Sequence, residues 1–307
     1  MGQLHQLVIQ HGKAKARQLV LAEEQPLVDI AARVLEEESQ TLGITYSGFC
    51  MAALPHKRLP DDQDWQRNGG KLSLLIEPGK LPVNGQIKQF GIPYGSRARL
   101  ILLYLQTRAI LENSPEVELG RSMNEWLERM DIPVGGKTYT DIKEQTARIS
   151  ACRLTFFWRD NKGSDAYTKD TIVASGIRLH SANEKQGSLW EEKVRLSTTF
   201  FNALRKHPVP IWEPAIRHIS SRSMALDAYV WLAYRLHVLT QETPVTWKAL
   251  YDQFGAGFLQ LKHFKPEFRK AIAYATAVYP EARIDMTTEG ITMYPSRPPI
   301  PERMIGR

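Results

Sequence analysis

Cysteine is scarce in this chain of 307 residues: only Cys50 and Cys152 occur. Two thiols about a hundred residues apart support neither a disulfide framework nor a cysteine-based zinc site, and they fit reduced cytosolic thiols. Long apolar runs are missing too. None approaches the roughly 20 residues that a membrane-spanning helix needs. The opening Met1-Gly2-Gln3-Leu4-His5-Gln6 lacks the apolar core of a secretory signal, and Gln6 stands where a myristoylation signal has Ser or Thr. A cytoplasmic protein is expected.

Catalytic signatures are absent as well. The eight histidines are scattered, so no His–hydrophobic–His triplet exists to hold a metal beside a DNA-cleaving tyrosine. Neither GxSxG nor HExxH occurs. Gly135-Gly136-Lys137-Thr138 resembles the end of a P-loop. That pattern wants Gly at position 131, where this chain has Asp131, and a buried parallel strand before it, where the periodicity gives an amphipathic helix. The expectation is no catalytic residue, no metal and no cofactor. The tryptophans at 126, 190, 212, 231 and 247 fit core positions better than a stacking platform for single strands.

What is present is ordinary globular material with a basic bias. Hydrophobic residues make up 43% and charged residues 24%, so disorder over most of the length is excluded. The length suits two domains. The net charge of +7 favours a polyanionic partner, a weak signal by itself.

Residues 1–42 read as a partly helical extension, with Leu27, Ile30, Ala31, Val34 and Leu35 on one helical stripe. Residues 54–70 are polar and rich in turn formers, and read as a linker. Leu72–Glu77 looks like a strand. A strongly apolar helix over Arg97–Leu111 follows, then a short strand or turn at Val117, a helix over Ser122–Met130, and a break at Pro133-Val-Gly-Gly. A third helix spans about Thr140–Ala151, with Thr138 placed three residues before Asp141 as in a capping box. Strands are expected at Arg153–Arg159 and Thr171–Leu179, joined by a polar turn. The order then repeats: helix Ser223–Leu239, helix Thr246–Phe254, a break at Gly255-Ala-Gly, a helix from Pro266 to about Tyr279, and strands Arg283–Thr287 and Ile291–Tyr294.

Helix, helix, turn, helix, hairpin is the order of a winged helix-turn-helix. The reading is a mainly helical α+β protein with two such domains in tandem, at 71–197 and 198–296. An N-terminal extension and linker (1–70) precedes them, with Leu189–Pro214 bridging and an extended or disordered tail over 297–307. A fold of this kind reads DNA from the solvent face of each third helix. In the first domain that face carries Thr140, Lys143, Glu144, Ala147 and Arg148, with core residues Ile142, Thr146 and Ile149 opposite. Lys143 and Arg148 could donate to guanine edges or phosphates and Glu144 could accept from cytosine. Lys137 and Thr138 at the helix start suit a phosphate, and Arg159 and Lys162 in the turn of the hairpin suit a backbone or minor groove. In the second domain Lys262, His263, Lys270 and Tyr274 lie on or near the outward face, flanked by Lys265 and Arg269. Cations crowded at a helix start oppose its dipole and make better sense with a phosphate present. An ordinary solvated face of mixed charge remains the competing explanation at the first of these helices, and a solvated loop at the hairpin turn.

Several blocks resemble the plasmid-encoded RepA replication-initiator family. They include Gly91-Ile-Pro-Tyr-Gly-Ser-Arg-Ala-Arg-Leu, Glu118-Leu-Gly-Arg-Ser-Met-Asn-Glu-Trp-Leu and Gly135-Gly-Lys-Thr-Tyr. Glu144-Gln-Thr-Ala-Arg-Ile-Ser-Ala-Cys-Arg-Leu, Ser223-Met-Ala-Leu-Asp-Ala-Tyr-Val-Trp-Leu and Pro295-Ser-Arg-Pro-Pro-Ile-Pro extend the likeness to roughly residues 42–301. The resemblance implies a bacterial protein that binds direct repeats (iterons) at a plasmid origin as double-stranded DNA. It further implies melting of an adjacent AT-rich segment and recruitment of the host initiator DnaA and helicase DnaB. A homodimer that represses its own promoter, in equilibrium with an iteron-binding monomer, belongs to the same picture. A transcriptional repressor without a replication role stays open, as does, less favourably, a DNA-nicking or NTP-hydrolysing enzyme.

Overall fold

The structure, a computed structural model, describes residues 2–68, 72–83, 85–159, 165–176 and 193–300. The chain divides into two compact units: a split unit of residues 1–43 with 209–307, and a central unit of residues 44–208. These divisions differ from the expected boundaries at 70/71 and 197/198. In chain order the elements begin with α1 (Gln3–Gln18), α2 (Gln25–Glu36), β1 (Leu42–Tyr46), α3 (Ser47–Met51), β2 (Trp65–Asn68), β3 (Leu72–Glu77), β4 (Gly79–Val83) and β5 (Gln86–Phe90). Next come α4 (Gly95–Leu111), β6 (Glu116–Glu118), α5 (Met123–Arg129), α6 (Gly136–Ala151), β7 (Arg153–Arg159), β8 (Asp165–Thr171), β9 (Val173–Gly176), β10 (Lys193–Leu196) and α7 (Thr198–Lys206). The chain ends with β11 (Pro208–Trp212), α8 (Glu213–His218), α9 (Ser223–Leu236), β12 (Thr243–Thr246), α10 (Trp247–Phe254), α11 (Leu261–Ala277), β13 (Ile284–Met286) and β14 (Gly290–Met293). The whole is a mixed α+β protein.

In the central unit α4 forms because its apolar residues leave few positions for solvent: Leu100, Ile101, Leu102 and Leu105 are buried and pack toward α6 and α7. Buried Arg99 donates to the carbonyls of Leu54 (2.7 Å), Pro55 (3.2 Å) and Gly95 (2.8 Å). Those bonds tie residues 54–55 to α4. The Trp65 indole N–H donates to the Ala53 carbonyl at 2.9 Å, and β2 pairs with β3. Residues 54–68 are thus folded structure and not a linker. Their polar composition conceals that the main chain is the part being used.

The strands after α6 also differ from expectation. The expected strand Arg153–Arg159 is β7, but its antiparallel partner is β8, from Arg153↔Thr171 to Arg159↔Asp165, and the two join a four-stranded sheet ordered β2-β3-β7-β8; residues 177–179 of the other expected strand lie outside the described residues. The run expected as one strand from Thr171 is cut at Ile172, which is fully buried at a corner. Beyond it β9 enters another sheet, ordered β6-β10-β9 and antiparallel throughout.

The split unit is organised around α9, where ten of fourteen residues are buried. α11 packs on α9, and α2 packs on both α11 and α8. The stripe expected on α2 is largely buried, with Leu27, Ile30, Ala31 and Val34 in the core together with Val28 and Ala32, while Leu35 is only half-buried. It is core material of this unit, not part of a separate arm. α1 is held to α2 by Arg17, which hydrogen-bonds both Asp29 and Gln25, and bends at Gly12, whose φ of 72° is the left-handed region. Three strands complete the unit in the order β12-β14-β13, again antiparallel. Gly290 is required in β14, because a Cβ there would lie 2.0 Å from the Val245 carbonyl oxygen. Residues 297–300 of the expected tail are anchored: the Tyr279 hydroxyl donates to the Arg297 carbonyl at 2.6 Å and Ile300 is fully buried.

Candidate nucleic-acid interface

Both units repeat one order of elements. In the central unit α4, β6, α5 and α6 lead to β9 and β10, with β10 between β6 and β9. In the split unit α9, β12, α10 and α11 lead to β13 and β14, with β14 between β12 and β13. The third helix of each set, α6 or α11, is where the sequence places DNA contacts.

The two starts are alike. α6 begins at Gly136, four residues before the expected Thr140, so Thr138 lies inside the first turn and does not cap it. α11 begins at Leu261, five residues before Pro266, which sits inside the helix. Neither has a side-chain cap or an acidic residue in its first turn. Of the other helices α5, α7 and α10 are capped by Ser122, Ser197 and Thr246, whereas α1, α2, α3, α4, α8 and α9 lack a side-chain cap as the third helices do. Uncapped N–H groups and the positive end of the helix dipole favour an anion. Each third helix nevertheless carries an exposed lysine as its second residue, Lys137 in α6 and Lys262 in α11. Among the described residues neither lysine forms an ion pair. Two cations at free helix starts are electrostatically unfavourable until a phosphate arrives.

Farther along α6 the expected face breaks up. Thr140 is exposed, but its hydroxyl donates to the Gly136 carbonyl at 3.1 Å. Lys143 is exposed and faces solvent. Arg148 is not available to DNA. Its side chain is 2% exposed and donates to Asp61 (2.7 Å), the Ile92 carbonyl (3.2 Å) and Glu144 (Nε to Oε1, 3.0 Å). The guanidinium also lies 5.2 Å from the centre of the Tyr94 ring. Glu144 is committed to the same network, accepting from the Tyr94 hydroxyl at 3.3 Å and standing 3.5 Å from Arg58. Burial by itself raises the Asp61 carboxyl, but the hydrogen bond and charge of Arg148, with Arg58, outweigh it and hold the carboxyl below its ordinary value. Ala147, expected outward, is buried as well. The expectation that Arg148 and Glu144 read bases is therefore corrected: they are a closed ion-pair network. Residues 58–61 and 91–94 cover that face, and no local spacing announces it. The i,i+4 pair Glu144–Arg148 was the one visible hint.

α11 keeps more of its candidate contacts at the surface. Lys262, His263 and Lys270 are exposed, while Lys265 and Arg269 are half-buried over buried Trp247, 5.7 Å and 4.9 Å from its ring centre. Arg269 also donates to the Thr287 carbonyl at 3.0 Å, joining the helix to the β13–β14 turn. Tyr274 is the second correction. It is 6% exposed, with the Arg222 guanidinium 3.8 Å from its ring centre, because α11 buries a stripe wide enough to meet both α9 and α2. Arg159 ends β7 opposite Asp165, in a sheet distinct from β6-β10-β9. Lys162 lies outside the described residues. Among the described residues no group of three or more His, Cys, Asp or Glu could hold a metal, and no helix is long and apolar enough to cross a membrane.

A crystal structure of selenomethionine derivatives of domains 2 and 3 of RctB is similar in fold, with TM-score 0.51 at 10% identity, over 83% of this chain and 99% of that one. A second RctB structure, residues 155–483, matches at TM-score 0.38 and 11% identity over 80% and 94%. No curated protein matches the chain in sequence. The family model described as plasmid-encoded RepA protein matches residues 92–249, from the entry to α4 into α10. That match spans just over half of the 307 residues, and by it the chain belongs to the plasmid-encoded RepA family of replication initiators.

Proposed function

We propose that this protein initiates plasmid replication by binding repeated double-stranded DNA sites, iterons, through two tandem winged helices, without catalysing a reaction on the DNA. The observation that carries the reading is the repeated element order with the same strand order. In both units the strand before the second helix pairs with the last strand, which pairs in turn with the one before it. That is how a winged helix seats its wing beside the third helix. Lys137 and Lys262, without an ion pair among the described residues and on helix starts without a side-chain cap, supply phosphate contacts that set register. Lys143, Lys270 and His263 stand on exposed faces and are the base-edge and groove contacts of this reading. Two modules on one chain suit a site of about two turns, since grooves on one face recur every ~34 Å. On this reading the bound protein promotes opening of an adjacent AT-rich segment and recruits DnaA and DnaB. A homodimer in equilibrium with the monomer represses the protein's own promoter.

A footprint on the DNA flanking the gene tests the reading. Direct repeats of about two turns, protected by the full chain, are the expected result. Lys137→Ala and Lys262→Ala should each weaken binding to all sequences alike and lower the salt slope by about 0.9. Lys143→Ala should cost about 1–3 kcal/mol on the protected site and less on random duplex. A flat salt response would sink the reading. Protection without strand opening on a supercoiled template would leave a repressor, and a nicked product would leave an enzyme.

A further inference from the structure

Each third helix is entered through an aliphatic residue that the fold leaves uncovered. Val134 stands directly before the N-cap Gly135 of α6 and is 52% exposed; Leu259 stands directly before the N-cap Gln260 of α11 and is 95% exposed. An apolar residue at that position ordinarily packs on the fourth helical residue and fixes the entry of the chain. Before α7 and α8 it is covered, with Leu196 and Ile211 0% and 1% exposed, and before α10 Val245 is half-buried.

The two exceptions are held out by the turns themselves. Ahead of α11 the fourth helical residue, Phe264, packs instead against Phe258, with ring centres 5.6 Å apart. The Phe258 carbonyl accepts from the Tyr251 hydroxyl at 2.6 Å, and Gly257 takes φ +91°, so Phe258 turns inward and Leu259 outward. Ahead of α6, Ile132 fills the interior at 3% exposure, with its N–H bonded to the Leu127 carbonyl at 2.8 Å, and Val134 is left outside. A single exposed leucine needs no explanation. The same position exposed in both units, and three residues before an exposed lysine in each, does.

We propose that Val134 and Leu259 are contact residues for duplex DNA, each seated on thymine 5-methyl groups in the major groove. This inference rests on the reading of α6 and α11 as groove-facing helices. The 5-methyl group is the apolar feature of the major-groove base edges, and an aliphatic side chain is its complement. Lys137 and Lys262, one turn farther on, match the flanking phosphates in charge. The contact distinguishes thymine from cytosine by shape and apolarity, at positions that the charged side chains do not read.

The test uses the full chain and duplexes enriched by the wild type from a random-sequence library. Affinity is measured for the wild type, Val134→Ala and Leu259→Ala. It is repeated with each thymine replaced singly by deoxyuridine, which removes only the methyl group. Thermal unfolding should not change, because neither side chain supports the fold. Leu259→Ala should bind the enriched duplex about tenfold more weakly, and one uridine replacement should weaken the wild type about fourfold while leaving Leu259→Ala unaffected. Val134→Ala should lose sensitivity to a different thymine. Wild-type affinity in both variants would overturn the inference, as would equal uridine sensitivity in variant and wild type. Failure of the wild type to bind any duplex would instead overturn the underlying reading of the helices, and this inference with it.

Discussion

The third helices α6 and α11 carry similar cations and use them differently. In α6 the guanidinium beyond the first turn, Arg148, is turned inward and neutralised by Asp61 and Glu144. In α11 the cations past the first turn stay at the surface, with Lys265 and Arg269 resting on Trp247 and Lys270 exposed. The difference teaches that a helix position is outward only if nothing else in the unit covers it. α6 is covered by residues 58–61 and 91–94, whereas α11 is braced from beneath by a tryptophan of α10. Contact chemistry shared by the two helices is therefore confined to their starts, where Lys137 and Lys262 occupy equivalent places.

That contrast can be broken most strongly at Arg148. Arg148→Ala leaves Asp61 and Glu144 without their buried partner and should destabilise the central unit by about 3–5 kcal/mol. Arg269→Ala on α11 should change stability far less. Denaturant melts of both variants decide it, and equal losses would erase the distinction between the two helices. Somewhat smaller is the expected effect of Ile30→Ala in α2. It should cost the split unit about 2–5 kcal/mol, as for any core isoleucine, even though its helix reads as part of an extension. An unchanged melt would show that α2 is dispensable to that unit.

The smallest effect concerns the N-terminus of α1. His5 is 1% exposed, and its Nε2 donates to the Ala277 carbonyl at 3.0 Å, which places a proton on Nε2. Burial lowers its pKa from the ordinary 6.5, against the opposing effect of the carbonyl bond. A lowered value means that the unfolded chain takes up a proton that the folded one refuses. The stabilisation is complete above pH 6.5 and declines as pH falls toward the folded-state value. Proteolysis of the N-terminal residues should therefore speed up below pH ~6 in the wild type and much less in His5→Asn. Identical pH profiles would refute the assignment.

Legibility in the sequence followed the range of the interaction. The helices α4, α5, α9 and α10, strand β3 and the stripe on α2 are periodic patterns set by near neighbours, and all appear as expected. The third helices begin four and five residues earlier than their periodicity predicts, because Gly136 in one and Pro266 in the other read as punctuation. Pairing of strands was the poorest reading. Arg153–Arg159 and the run from Thr171 read as the hairpin that should follow a third helix, yet β7 pairs with β8, and β9 and β10 occupy that place in the sheet order. Nothing local tells one antiparallel pair from another. Of the candidate contacts, Lys137, Lys143, Lys262, His263 and Lys270 remain exposed, while Arg148, Glu144 and Tyr274 are engaged within the protein.

By itself the sequence determined the repeated order of helices, the lysines at the helix starts and the family, because these reside in local periodicity and contiguous blocks of residues. Only the tertiary structure decided that residues 1–43 belong with 209–307, which cations are neutralised, and that Val134 and Leu259 stand uncovered. Each of those depends on what packs against a residue from far along the chain, and burial is a property of that partner as much as of the residue.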